Sequence, residues 1–347
     1  MQRALVVAVE TDEIGDAIDA ELDELEALAG AAGARVLERI VQRRARVDPA
    51  TLVGSGKARE IAERAEDLGA ELILTLNDLR PRQRRNLEAI VPVPIVDRTM
   101  LVLDVFARQA RSREGKLQVE LAQLRYRQSN LIGAGADLSR LGGGIGTRGP
   151  GESKLEVDRR RIAARIAVLN RMLADVRRHR SLRRSAPKRE PLVALVGYTN
   201  AGKSSLLNAL SRGDAYVADR PFATLDPLIR RAYLEPGFYV RLADTVGFIT
   251  DLPKDLVNAF RATLEELRDA DLLLHVIDAS SPRRREHRRA VESILHDLEL
   301  DREPRLVVYN KSDLPTSEAI EPGALQVSAR TGAGLDALRA AVFERLS

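Results

Sequence analysis

The tightest constraint on this chain is the stretch GYTNAGKSS at 197–205, together with what flanks it. Upstream, LVALVG (192–197) is an uninterrupted apolar run of strand length, and downstream SSLLNALSR has the apolar spacing of a helix. The pattern Gly197-x-x-x-x-Gly202-Lys203-Ser204 therefore falls between a buried strand and a helix start, the context a phosphate-binding loop needs. Glycines let backbone N–H groups converge on phosphate oxygens, Lys203 reaches the outer phosphates, and the Ser204 hydroxyl is placed to bind Mg2+. A chain that carries this unit folds, at least over its C-terminal part, as an α/β domain.

Residues further along narrow the nucleotide. Asp244-Thr245-Val246-Gly247 ends the apolar run FYVRLA, which sets a carboxylate near the metal and a glycine N–H near the terminal phosphate. Asn310-Lys311-Ser312-Asp313 ends RLVVYN, and Ser328-Ala329-Arg330 follows LQV. In a guanine site the Asp313 carboxylate accepts from the N1 and N2 hydrogens of the base, a pairing that adenine cannot offer, so the acceptor discriminates. Asn310 would hold the loop and the base edge, and the stem of Lys311 would cover the ring. Tyr198, Thr199, Asn200 and Ala201 complete the loop. NKSD alone is a common surface tetrapeptide; in order after the phosphate loop and DTVG, each at a strand end, it points to GTP.

Charge is distributed very unevenly. Residues 111–190 carry 20 basic and 8 acidic groups, whereas 1–110 carry 15 against 20 and 191–347 carry 20 against 23. The middle segment alone makes the chain basic, which is the footprint of a polyanion-binding surface or of a well-solvated helical face. Its apolar residues recur at helical spacing: Leu117, Leu121, Leu124 and Leu131, then Leu155, Ile162, Ile166, Leu169, Leu173 and Val176. Two long helices with narrow seams are predicted, forming an antiparallel hairpin. Gly133, Gly135 and Gly142 to Gly144 are poor helix interiors, Pro150 fixes a turn, and Ser153-x-x-Glu156 fits a capping box for the second helix. SLRRSAPKREP (181–191) reads as a linker.

Before the hairpin, ALVVAV (4–9), ELILTL (71–76) and VPIVD (93–97) are strand candidates, while 14–34 and REIAERAEDLGA (59–70) are helical, a rhythm that favours a small parallel sheet. GSGK (54–57) lacks the glycine spacing of a phosphate loop and reads as a turn before a helix. The predicted organisation is an N-terminal α/β domain (1–110), a basic helical hairpin with a glycine-rich tip (111–186) and a GTP-binding domain (187–347). The chain has no cysteine, and no run reaches the 18 to 20 apolar residues of a membrane span. A soluble, cytoplasmic monomer is expected.

At this point the chain resembles translation-associated GTPases, specifically the HflX family. The most specific element is GGGIGTRGPGESKLEVDRRRI (142–162) joined to the phosphate-loop domain, and the resemblance runs over nearly the full length. Phe222-Ala223-Thr224-Leu225-Asp226 is similar to the family's first switch, which implies Thr224 as the Mg2+-linked threonine that senses the terminal phosphate. Lys203, Thr224 and Gly247 are then the expected catalytic groups, and Ser204, Thr224 and, through water, Asp244 the expected metal contacts. The resemblance further implies ribosome binding, chiefly through the large subunit and its rRNA, with GTP-dependent splitting of stalled ribosomes. It also implies, for some members, ATP binding by the N-terminal region. Many members continue into a further small C-terminal domain, whereas LDALRAAVFERLS (335–347) reads here as the last helix of the GTP-binding domain.

Phosphoryl transfer needs charge stabilisation and a positioned water more than covalent chemistry. Where many regulatory GTPases carry a water-orienting glutamine after the DxxG glycine, this chain has Phe248. Slow hydrolysis that a partner stimulates is expected; the alternative is that Thr250 or Asp251 substitutes. For the hairpin, Arg140, Arg148, Lys154, Arg159 and Arg160 are the predicted RNA contacts. Aromatic content of 3% argues for shape and phosphate recognition rather than base stacking. Two rival readings remain: a GTP-switched module on a non-ribosomal partner, and an NTP-driven RNA remodeller with a second ATP site in residues 1–110.

Overall fold

A computed structural model describes residues 1–11, 18–141, 154–184, 190–211, 221–222, 228–250, 265–300, 304–316 and 319–347. The chain divides into two compact units, Met1–Arg108 with Leu117–Leu173, and Gln109–Lys116 with Ala174–Ser347.

The first unit is built on four parallel strands, β1 (Gln2–Glu10), β2 (Ala34–Arg43), β3 (Leu72–Thr75) and β4 (Ile95–Asp97), in the order β2-β1-β3-β4. Helices α1 (Ile18–Ala31), α2 (Ser55–Leu68), α3 (Pro81–Glu88) and α4 (Arg98–Gln109) alternate with them. Strand β1 is central and buried over Ala4 to Val9, which its unbroken apolar run requires. Strand β2 is an edge strand whose apolar residues are interrupted by Arg35, Glu38, Arg39 and Arg43, and this is why its sequence does not announce a strand. GSGK does form a turn into a helix, with Gly54 at φ 86° ahead of α2.

The basic hairpin consists of α5 (Arg113–Leu141) and α6 (Lys154–Arg184). Leu117 and Leu121 pack on Leu169 and Leu173, with Leu124 and Ile166 at the margin, so the early part of α5 meets the middle of α6. Each buried leucine contributes roughly 1.5–3 kcal/mol, and Arg165 adds a two-pronged contact to Glu120 at 2.7 and 2.9 Å. Two expectations are corrected. The helix does not break at Gly133 or Gly135 but runs to Leu141, because a glycine costs only about 1 kcal/mol in a helix that good formers continue. Residues 181–184 are likewise helical rather than linker, since SLRR contains no breaker before Pro187. The glycine-rich tip and the Ser153 cap lie outside the described residues.

A buried polar knot ties α5 to the sheet of its unit. Arg84 on α3 donates to Ile95 O at 2.6 Å and pairs with Asp97 Oδ2 at 2.5 Å, and the Tyr126 hydroxyl donates to the same carboxylate oxygen. Burial and the Asp97 charge push the Tyr126 phenol well above its usual value, so it stays a proton donor. Beside the knot is a cavity of about 700 Å3, lined by residues that include Arg84, Arg85, Asp104, Arg127 and Arg161.

The second unit holds a six-stranded sheet of β5 (Leu192–Gly197), β6 (Leu228–Glu235), β7 (Phe238–Asp244), β8 (Leu272–Asp278), β9 (Arg305–Asn310) and β10 (Leu325–Gln326), in the order β10-β9-β8-β5-β7-β6. Only β6 runs antiparallel to its neighbour. Helices α7 (Lys203–Ser211), α8 (Arg284–Asp297) and α9 (Leu335–Leu346) accompany it. The core under α7 and α9 joins Leu195, Leu206, Leu207, Leu274, Val308 and Leu338. A parallel sheet directs the C-terminal ends of β5, β8 and β9 to one edge, where ligands of open α/β sheets bind. Among the described residues, no helix is long and apolar enough to cross a membrane.

Candidate nucleotide site

Fully buried β5 delivers the chain into the loop 198–202, and α7 begins at Lys203. Gly202 is required for two reasons: its φ is 87°, and a Cβ there would lie 2.2 Å from Asn310 Nδ2. Lys203 is buried, with Nζ donating to Gly197 O at 3.1 Å and Tyr198 O at 2.9 Å. Burial lowers its pKa to about 8, and the nearby Asp244 charge only partly offsets this. An arriving phosphate would supply the missing anion. Ser204 Oγ donates to Asp244 Oδ2 at 2.5 Å, so a hydroxyl and a carboxylate from the ends of α7 and β7 converge. Two such hard oxygens fit Mg2+, which commonly takes few protein ligands and completes its shell with phosphate and water.

After Asp244 the chain folds back over the loop. Thr245 Oγ1 donates to Leu195 O at 2.6 Å, Phe248 N donates to Gly197 O at 3.1 Å, and Thr199 N donates to Phe248 O at 2.7 Å. Gly247 is thereby pressed so close that a Cβ would stand 2.8 Å from Thr199 Cα and 3.1 Å from Lys203 Nζ. Phe248 is only 2% exposed, and its ring belongs to the interior rather than to the phosphate side of the loop.

The opposite flank is knitted by Asn310 at the end of β9. Its Nδ2 donates to Ala201 O at 3.0 Å, and its Oδ1 accepts from Ala329 N at 3.0 Å. Asp313 accepts from Ser328 Oγ at 2.6 Å and pairs with Arg330 at 2.9 Å, and these contacts hold its carboxyl below the usual range. Lys311 Nζ pairs with Asp278 Oδ2 at 2.7 Å, and Ser312 N donates to Val327 O at 3.1 Å. One edge of the sheet thus carries a phosphate loop, a carboxylate–hydroxyl pair and a second carboxylate with an amide and an ammonium beside it.

Three family models match the chain: a GTP-binding GTPase N-terminal region over 19–107, a GTP-binding GTPase middle region over 109–186, and a 50S ribosome-binding GTPase over 192–311. The GTPase HflX of Caldanaerobacter subterraneus subsp. tengcongensis is 50% identical over 99% of this chain and 81% of its own length. The chain belongs to the HflX family of GTPases. The HflX of Escherichia coli is 46% identical over 94% of this chain and 79% of its own length. Among solved structures, SsGBP in complex with GDP matches with a TM-score of 0.55 at 23% identity, over 100% of this chain and 98% of its own. A GTP-binding protein of Sulfolobus solfataricus in complex with GDP matches with a TM-score of 0.50 at 22% identity, over 100% and 99%. These two likenesses concern the fold.

Of the residues expected from the sequence of this HflX-family chain, the structure gathers Gly197 to Ser204, Asp244 to Gly247, Asn310 to Asp313 and Ser328 to Arg330 along one sheet edge. Phe222 is placed as well, with its N–H donating to Thr199 Oγ1 at 3.0 Å. Ala223, Thr224, Leu225, Asp226 and Arg148 lie outside the described residues. Arg159 and Arg160 are exposed on α6, while Arg140 and Lys154 are placed only as positions on α5 and α6. Sequence reasoning missed Asp278, although it ends the apolar run LLLHVID just as Asn310 ends RLVVYN. It also gave no role to the Tyr198 side chain.

Proposed function

We propose that this HflX-family GTPase binds the large ribosomal subunit and uses GTP binding and hydrolysis to split or rescue stalled ribosomes. The observation that carries this reading is the match of residues 192–311 to a 50S ribosome-binding GTPase, next to a hairpin segment with 20 basic and 8 acidic groups. Three working parts are assigned: an α/β domain (1–110), a basic hairpin (111–186) and a GTP domain (187–347). In the last, residues 197–204 receive the phosphates, and Ser204, Thr224 and Asp244 serve Mg2+, which when bound supplies charge neutralisation at the phosphates. Lys203 and the Gly247 N–H donate to the terminal phosphate, and Thr224 with its neighbours at 222–226 senses it. Asp313 reads guanine once the exposed Arg330 moves off its outer oxygen.

No side chain at 248 orients the attacking water, so turnover alone is slow and the ribosome completes or orders the site. The hairpin residues Arg140, Arg148, Lys154, Arg159 and Arg160 contact rRNA phosphates, and the glycine-rich tip enters an RNA pocket too narrow for larger side chains. The protein acts as a cytoplasmic monomer. The test is GTP turnover by the purified protein, alone and with isolated large subunits, at two salt concentrations. Strong stimulation that salt removes is expected. Tight GTP binding without stimulation by the subunit would refute the ribosomal reading and leave a switch acting on another partner.

One observation favours a second reading, a further nucleotide held by the N-terminal part: the cavity of about 700 Å3 with its several arginines. ATP titrated against a Lys203→Ala variant tests it, since binding that survives lies outside the phosphate loop.

A further inference from the structure

Two adjacent side chains of the phosphate loop reach away from it in different directions. Thr199 Oγ1 accepts from Phe222 N at 3.0 Å, and Tyr198 reaches the segment that follows Gly247. The Tyr198 hydroxyl accepts from Thr250 N at 3.0 Å and shares a hydrogen bond with Thr250 Oγ1 at 2.9 Å. Its ring stacks on His287 of α8, with centroids 3.8 Å apart and planes 8° from parallel. Tyr198 is only 6% exposed, so the stack fixes the direction in which the hydroxyl points. At its other end the residue belongs to the loop itself, where Tyr198 O accepts from Lys203 Nζ at 2.9 Å. Between these fixed ends runs Gly247 to Thr250, zipped to the loop through the Tyr198–Phe248 bridge.

We propose that Tyr198 is a positioning residue for GTP hydrolysis: by holding Thr250, its hydroxyl sets where Gly247 stands relative to the phosphate loop. Donors that stabilise a phosphoryl-transfer transition state must lie within a few tenths of an ångström of their place. Among the described residues, the other hydrogen bonds on this segment are the backbone bonds of Phe248 to Gly197 and Thr199, which fix its start, while its far end is held by Tyr198. A phenylalanine would keep the ring, the stack and the fold, and would remove the hold on Thr250. The diphosphate portion of the nucleotide does not depend on that hold. The inference rests on the assignment of 197–204 to the nucleotide.

The experiment is single-turnover GTP hydrolysis and fluorescent-GDP affinity for Tyr198→Phe, Thr250→Val and the double variant, with thermal melting of each. Tyr198→Phe, which loses both bonds, is expected to slow hydrolysis about tenfold with GDP affinity within about twofold of the parent. Thr250→Val keeps its backbone bond to Tyr198 and should slow it less. In the Tyr198→Phe background the same change should cost nothing further, because its partner is already gone. Parent-like hydrolysis by Tyr198→Phe would overturn the proposal. So would a fall in rate matched by falls in GDP affinity and melting temperature, or fully additive effects in the double variant. Lys203→Ala keeps the two failures apart: undiminished GDP binding there would refute the nucleotide assignment itself.

Discussion

Replacing Asn310 by alanine tests whether the base-side flank also holds the phosphate loop together before any nucleotide arrives. The side chain is 1% exposed and makes two close bonds across the sheet edge, to Ala201 O and from Ala329 N, each at 3.0 Å, with a longer one to Gly202 O at 3.5 Å. Truncation leaves a buried carbonyl and a half-buried N–H without these partners, and each fully buried orphan costs about 1–3 kcal/mol. Ala201 is itself buried and bears the full penalty, whereas water can recover part of it at Ala329. The expected loss is therefore about 2–4 kcal/mol in the nucleotide-free protein, a large share of the 5–15 kcal/mol that ordinarily holds a domain. Urea unfolding followed by circular dichroism, without nucleotide, measures it. Asn310→Asp should be at least as damaging, because it turns a carboxylate oxygen toward Ala201 O. A loss below about 0.5 kcal/mol in the alanine variant, on the scale of an ordinary surface substitution, would refute the reasoning.

Two titrations extend the same logic. Burial lowers the Lys203 pKa to about 8, and bound phosphates should raise it again, so GDP binding near pH 8.5 should take up a proton and weaken as pH rises further. Calorimetry in two buffers of different ionisation heat reads that uptake, which should be absent at pH 6.5, where Lys203 is already charged. His275 on β8 is buried, and burial together with the nearby Arg305 lowers its pKa to about 3. The unfolded chain then binds the extra proton between about pH 6.5 and 3, so stability falls with acid across that window by at most about 1.4 kcal/mol per pH unit. His275→Leu should flatten that part of the acid unfolding curve of the second unit, and an unchanged curve would refute it.

Much of the site is legible in the sequence because each part is local. A strand, a glycine loop and a helix start are read from neighbouring residues, and so are the strand-end clusters DTVG and NKSD. The hairpin seam is legible for the same reason, since Leu117, Leu121, Leu169 and Leu173 recur at helical spacing and do pack together. Local reading failed where a weak preference met a stronger context. The glycines at 133 and 135 do not stop α5, and the half-exposed edge strand β2, rich in charge, is invisible to an apolar pattern.

The inventory can be read locally: a phosphate loop, its carboxylate, the strand-end tetrapeptide NKSD and a basic helical pair. Which of these touch depends on long-range packing. Asn310 lies 109 residues from Ala201 yet bonds to it, and Tyr198 closes on Thr250 across 52. Such pairings follow from strand order, which places β8 between β9 and β5 and brings their C-terminal ends to one edge. Strand order minimises exposed apolar surface over the whole sheet, a property that no short stretch of sequence carries.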